Sequence, residues 1–315
     1  MSTTHVIPKS AGAPGISAHR EPALTIAPGT GERITFETDD TAYAQMHEHG
    51  DMAKVTAPLN PVTGPVHVEG AEPGDVLAVT IHDITFAGYG WSVFLPGAGA
   101  LADVMGEQMI THRVEIDGDV VRLPGGRTAP TAPMIGCIGV AAADGEMSTV
   151  MPSYPTGGNL DLTDAAPGAT VYLPVQVPGA LLYVGDLHAV MGRGEATFVA
   201  IEAAGEATVS VELLKAPTGS LASLRAPRVE TADEVICVGL GDPVQDSIQM
   251  AYESLFAVLT QDHGYSPADA YVTLSAVGHT ELGGPTGSTD PDPLHPFRAV
   301  GAVTLARIGK EYLRS

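Results

Sequence analysis

From Ala23 to Leu214 the chain repeats one local grammar, a short alternating or apolar run, a cluster of turn formers, then another run. Val76-Leu-Ala-Val-Thr-Ile-His-Asp-Ile84 alternates after the turn Pro73-Gly74-Asp75. Val114-Glu-Ile-Asp-Gly-Asp-Val-Val-Arg-Leu123 reads as a hairpin around Asp117-Gly118. Similar signals recur at 170–177, 196–202 and 207–214, and 37 glycines and 25 prolines supply the turns between runs. Short strands with frequent turns bury their apolar faces by pairing sheets, which points to a sandwich or barrel. No fixed-period repeat is present, so a solenoid or propeller is not supported.

The helical signal comes late. Asp242 is placed to cap a helix, Pro243 suits its first position, and Val244, Ile248, Ala251, Leu255, Val258 and Leu259 form its apolar stripe before Gly264 ends it. Ser266-Pro-Ala-Asp269 has capping-box spacing, with Tyr271, Leu274 and Val277 as the stripe of a second helix. The expected class is therefore α+β, predominantly β, with a sandwich- or barrel-like body and a C-terminal helical pair. The expected organisation is an N-terminal arm over 1–22, a β-rich body over 23–215 carrying the site, and an α+β part over 216–315 sharing sheets with the body. The boundary rests on the breaks at Ala216-Pro-Thr-Gly-Ser220 and Ala226-Pro-Arg228. Gly283 to Pro296 is nearly all turn formers and reads as a long loop able to serve as a lid.

Charge narrows the partners. With 15 Lys and Arg against 37 Asp and Glu, a formal charge of −22 repels phosphate backbones and anionic lipid, so neither nucleic acid nor a membrane is an expected partner. A neutral or cationic small molecule, or a metal ion, suits the balance better. No run of 18 apolar residues and no leader-like start is present, so a cytoplasmic protein is expected. Cys137 and Cys237, 100 positions apart in apolar runs, read as reduced core residues.

The densest chemistry lies in Gly185-Asp-Leu-His-Ala-Val-Met-Gly-Arg-Gly-Glu195. With a strand over 181–185, Asp186 and His188 leave its end on one face, and the glycines let the chain return Glu195 toward them. A carboxylate and an imidazole so placed bind a divalent metal or share a proton, and a second carboxylate acts as general acid or base. The same spacing also fits a surface salt link. In Thr156-Gly-Gly-Asn-Leu-Asp161, Gly158 permits close backbone approach while Asn159 and Asp161 present an amide and a carboxylate side by side; a plain turn is the other reading. His47-Glu-His-Gly-Asp51 reads either as a metal tract or as a polar loop. No G-x-S-x-G, Walker-type or H-E-x-x-H motif occurs.

Taken in order, Ile34 to Asp40, Asn60 to Leu77, Pro133 to Ala141, Gly157-Gly-Asn-Leu-Asp161, Gly185-Asp-Leu-His188 and Gly192-Arg-Gly-Glu195 resemble the acetamidase/formamidase family. The resemblance implies a β-rich α+β fold, hydrolysis of formamide, acetamide or a related short amide, homo-oligomers and a divalent metal, zinc or calcium. Carried over by position, it implies Glu195, Asp186 and His188 as catalytic residues. Asn159, Gly158 and Arg193 would bind substrate, and Asp40, Asp161, Asp186 and His188 would hold the metal. Where the family usually has an acid, this chain has Arg193, a guanidinium able to receive a substrate carboxylate. The rival expectation from another class is a non-catalytic β-sandwich whose acidic loops hold Ca²⁺ or another ligand.

Overall fold

A strand with one face in water alternates apolar and polar residues, whereas one covered on both faces is apolar throughout; this chain uses both kinds. The computed structural model describes residues 3–151, 153–284 and 302–314. Two large sheets dominate. The nine-stranded sheet runs from Thr4–Ile7 through Arg33–Glu37, Gly205–Leu214, Val76–Phe86, Thr170–Pro174, Arg228–Glu230, Glu234–Gly241 and Ala302–Gly309 to His279–Gly283. The eleven-stranded sheet follows Arg127–Pro130, Val120–Leu123, Ile110–Asp117, Tyr89–Phe94, Ile201–Glu202, Leu182–Val190, Met134–Val140 and Gly157–Asn159, with Val62–Val68 joined to Leu182–Val190. The expected hairpin is present, Val120 pairing with Asp117 across the two-residue turn Gly118-Asp119.

One core lies between the sheets. Phe36, Leu77, Val79 and Val209 from the first meet Ile135, Ile138, Val184 and Leu187 from the second, all buried. Each such side chain contributes about 1.5–3 kcal/mol of transfer free energy. The protein is thus mostly β with few helices, as the turn-and-strand pattern implies. Arg228–Glu230 pairs with Thr170–Pro174 on one side and with Glu234–Gly241 on the other, so the first sheet continues through the 216–230 stretch. Thr4–Ile7 pairs with Arg33–Glu37, and Gly12–Ala13 with Val62–Val68. The Gly283 to Pro296 loop lies, beyond Gly284, outside the described residues.

Glu234–Gly241 shows why the helical pair sits where it does. Ile236, Val238 and Leu240 look into the two-sheet core, while Val235 and Cys237 face Ala251, Leu255, Ala270 and Leu274 of the helices. The first helix is Val244–Ala257, opening one residue later than expected because Pro243 keeps extended backbone, and it continues as a π turn over Val258–Asp262. The second is Pro267–Val277, capped as expected by Ser266 Oγ accepting from Asp269 N at 3.1 Å. Its stripe differs from expectation at one position: Leu274 is buried and Val277 packs half-buried beside it, but Tyr271 is 71% exposed. Both cysteines are buried and free. Among the described residues no helix is long and apolar enough to cross a membrane.

The first helix reaches the sheet because Gly239 and Gly241 present no side chain to it. A Cβ at Gly239 would overlap Ser247 O and stand 2.7 Å from Ala251 N. Gly239→Ala is expected to lift the helix and lower the urea unfolding free energy by about 1–3 kcal/mol. Stability equal to that of the unaltered protein would show that the contact yields freely.

Candidate active site

Three adjacent strands of the larger sheet build the site. Met134–Val140 lies between Gly157–Asn159 and Leu182–Val190, with Cys137 opposite both Asn159 and Gly185, and Met134 opposite His188. Gly136 leaves the space that the carboxylates occupy: a Cβ there would stand 2.6 Å from Asp186 Oδ2 and 2.7 Å from Asp161 Oδ1. Its carbonyl accepts from Asp161 N at 3.1 Å, drawing the chain after Asn159 across the strand. The expected strand over 181–185 does not end at Gly185; it runs on to Val190, so Asp186 and His188 lie in its interior. His188 pairs across the sheet with Glu202, which in turn pairs with Trp91. Glu195 arrives on a turn closed by its own N–H donating to Gly192 O at 3.0 Å.

Asp161, Asp186 and Glu195 have φ of 44°, 55° and 42°. Non-glycine residues avoid this region, and holding one there costs of the order of 1–3 kcal/mol. Three such residues at one centre aim their carboxyls inward against local preference.

His188 Nε2 lies 3.2 Å from Glu202 Oε2, 3.5 Å from Asp186 Oδ2 and 3.8 Å from Asp161 Oδ1. Burial pushes the imidazolium down, but the Glu202 and Asp186 charges outweigh it and hold His188 well above its usual value. Burial, then the Glu202 charge, raises Asp186 to about 7. Burial raises Glu195 to about 8, with His188 opposing and Glu202 and Asp186 assisting. Asp161 is raised by burial and by the Glu195 charge. Glu202 goes the other way: burial raises it, but the His188 charge and hydrogen bonds, one from Ala200 N at 3.0 Å, bring it below the ordinary range.

Two small recesses open on these groups. One of about 20 Å³ is lined by Asn159, Asp161, Glu195 and Glu202 on its polar side and by Tyr43, Leu95 and Phe198 among its other walls. The other, about 10 Å³, lies between Asp40, Asn60, Asp186 and Glu202. A single water takes about 10–15 Å³ on this measure, so each recess has room for little more than one water.

A divalent ion fits the donor set. Asp161, Asp186 and His188 present ligand atoms within 4.8 Å of one another, as do His188, Glu195 and Glu202. Both oxygens of Asp161, Asp186 Oδ2 and His188 Nδ1 are buried without a hydrogen-bond partner, which a cation would supply to the carboxylates.

Of the residues singled out in the sequence, Asn159, Asp161, Asp186, His188 and Glu195 come together here. Asp40 sits beside them, its Oδ2 accepting from Trp91 Nε1 at 2.6 Å. Gly158 lies one position off, 3.6 Å from the Tyr154 ring measured from where its Cβ would be, and lines neither recess. Arg193 is also outside both walls; its guanidinium is occupied by Asp164 and Glu281. The His47-Glu-His-Gly-Asp51 tract is no loop: Thr41–His49 is a helix, His47 Nδ1 lies 2.9 Å from Thr111 Oγ1, and Asp51 caps the next turn. Among the described residues those three groups do not gather as a metal cluster.

Among the lining residues that local sequence does not mark are Glu202 and Tyr43. Glu202 belongs to a two-residue strand and reaches His188 only through cross-strand pairing, for which no local pattern exists. Tyr43 projects from the overlooked helix; its hydroxyl donates to Asn60 Oδ1 at 2.7 Å, and burial raises its pKa. The available signals were the Asp39 carboxylate capping Thr41 N at 2.9 Å, the i, i+4 pair Ala42 and Met46, and Gly50 in the left-handed region.

Fold and site define a two-sheet β protein built round a buried carboxylate and imidazole centre. The sequence profile described as the Acetamidase/Formamidase family matches residues 19–148 and 108–280, and the chain belongs to that family. It is 28% identical over 257 residues to an acetamidase of Mycolicibacterium smegmatis, a match covering 61% of this chain and 63% of that protein. It is 31% identical over 209 residues to a formamidase of Methylophilus methylotrophus, covering 49% of this chain and 51% of the relative. The chain thus spans less than two thirds of these relatives' length. An acetamidase crystal structure from Bacillus halodurans superposes with a TM-score of 0.84 at 28% identity, covering 98% of each chain.

The raised carboxyls set a pH dependence for chelator-treated protein. Asp186 and Glu195 contribute stability that is full below their unfolded values, about 4, and lost as pH rises through about 7 and about 8. His188, also raised, acts in the same direction once pH exceeds its unfolded value, while lowered Glu202 changes only in acid. Tm is expected to fall from about pH 5 to about pH 8, and Glu195→Gln to make that fall shallower. A Tm that climbs across the interval contradicts the assignment of protons.

Proposed function

We propose that the protein hydrolyses the C–N bond of a small, neutral, linear amide such as formamide or acetamide, releasing a carboxylate and ammonia. The observation that carries this reading is Glu195, with a pKa near 8, facing Asn159 and Asp161 across a recess of about 20 Å³. Family membership and the named acetamidase and formamidase relatives support it.

An amide resists attack, so hydrolysis needs an activated water, a stabilised oxyanion and a proton for the departing nitrogen. Glu195 titrates close enough to neutrality to take the water's proton and return it to nitrogen. Asn159 Oδ1, buried without a partner, accepts from the substrate NH₂ and orients it. Glu202 holds His188 in place, one oxygen fixed by Ala200 N and the other facing Nε2. Asp161, Asp186 and His188 would hold a divalent ion, whose Lewis acidity polarises a carbonyl and lowers the pKa of water. One imidazole among carboxylates favours zinc over calcium, which takes oxygen ligands, and the same imidazole counts against the rival calcium-binding module. Self-association belongs to this reading, supported by the exposed Tyr271 and Val272, and so does a cytoplasmic setting, supported by two free thiols.

Ammonia release from formamide and acetamide, measured before and after chelation, tests the proposal. Turnover that chelation suppresses is expected, and Glu195→Gln should lower kcat about 10²–10⁴-fold with unchanged circular dichroism. Unimpaired turnover in that variant would remove Glu195 from the chemistry.

A further inference from the structure

Glu195 and Asp161 face the same recess from two turns. Glu195 follows Gly192-Arg193-Gly194, and Phe198 N closes the turn behind it by donating to Glu195 O at 2.8 Å. Asp161 opens a turn that ends with Ala165 N donating to Leu162 O at 2.8 Å. Both residues sit at positive φ, so neither turn holds its carboxyl by backbone preference.

Arg193 joins these turns. Its Nη1 donates to Asp164 Oδ2 at 3.0 Å and its Nη2 to Asp164 Oδ1 at 3.4 Å, a two-pronged contact with the residue three beyond Asp161. The same Nη1 donates to Glu281 Oε2 at 2.9 Å, in the edge strand His279–Gly283 of the nine-stranded sheet. Arg307 backs the arrangement from Ala302–Gly309, reaching Glu281 Oε2 at 2.6 Å and Asp164 Oδ1 at 3.0 Å, and it also pairs with Glu234. Asp164 and Arg307 are buried, so the anchor is fixed; Arg193 is 47% exposed, so its own salt bridges contribute little to stability. What a planar fork contributes here is geometry.

We propose that Arg193 is a positioning residue: its guanidinium clamps the Glu195 turn to the Asp161 turn through Asp164, setting the two carboxyls across the recess. Its consequence for turnover rests on the amidase reading above; the clamp itself does not. The acids it touches keep Arg307 as counter-ion when Arg193 is removed, so the fold survives the test.

Hydrogen exchange and amidase kinetics on the full chain decide the matter. In Arg193→Ala, amides over 192–198 and over 160–165 are expected to exchange faster together, with Tm close to the unaltered value. Displacing a reacting group by about 1 Å costs about 10²-fold, so kcat should fall by about 10–100-fold while KM stays within about twofold. Arg193→Lys, one point charge in place of a fork, should recover part of kcat, and it serves as the test if the alanine variant fails to fold. Unchanged exchange over 160–165 overturns the clamp, as does a loss confined to KM, which would make Arg193 a substrate contact. If the unaltered protein releases no ammonia while both turns loosen in the variant, the clamp stands and the amidase reading falls.

Discussion

Everything at the centre of this molecule follows from placing four carboxyls around one imidazole, all of them buried. Asp161, Asp186, Glu195 and Glu202 cannot all be ionised there beside a single cation without a large electrostatic cost. The cluster resolves this by division of roles. Glu202, closest to His188, keeps its charge; Asp186 and Glu195 are driven to titrate near neutrality. In the proposed hydrolysis, groups that change protonation near pH 7 would serve proton transfer to the leaving nitrogen, so the electrostatic conflict would also supply the reactivity.

The scaffold answers that conflict with rigidity. Gly136 admits two carboxylates to a space that any side chain would fill, Asp186 from the strand on one side and Asp161 from the chain just past the strand on the other. Behind these strands lies the two-sheet core, whose burial offsets both the strained backbones and the desolvated charges. The helical pair packs on the other sheet, away from the recesses, and none of its residues lines either of them. Edge strand His279–Gly283 is the exception, since Glu281 ties that sheet to the turns of the site through Arg193 and Arg307.

Legibility in the sequence tracks the range of the interactions. Hairpins, the late helices and the Ser266 cap are written in periods of two or 3.6 residues and in turn chemistry, all local, so they can be read directly. The pairing of Asp186 with His188 is local too, but its burial is not: a D-x-H at a strand edge and one deep in a sheet have the same spelling. Glu202 shows the limit. Its role comes from lying opposite His188, a register that depends on strands remote in sequence. The helix Thr41–His49 was obscured by its histidines, which suggest a metal tract when viewed as a string, although an Asp cap and a left-handed Gly50 bracket them.

Charge also bears on what enters and leaves. Arg193, the one cation adjacent in sequence to Glu195's turn, is committed to Asp164 and Glu281 and lines neither recess, so among the described residues no guanidinium faces a substrate carboxylate there. A neutral amide meets no Coulombic penalty on entering a space walled by Asp161, Glu195 and Glu202; an anionic analogue would meet the charge of Glu202 and, above about pH 8, that of Glu195. In the proposed reaction the asymmetry works again at the end. Hydrolysis would turn a neutral substrate into an anion beside Glu202, which keeps its charge, so repulsion absent from the substrate complex would weaken the product complex and favour release.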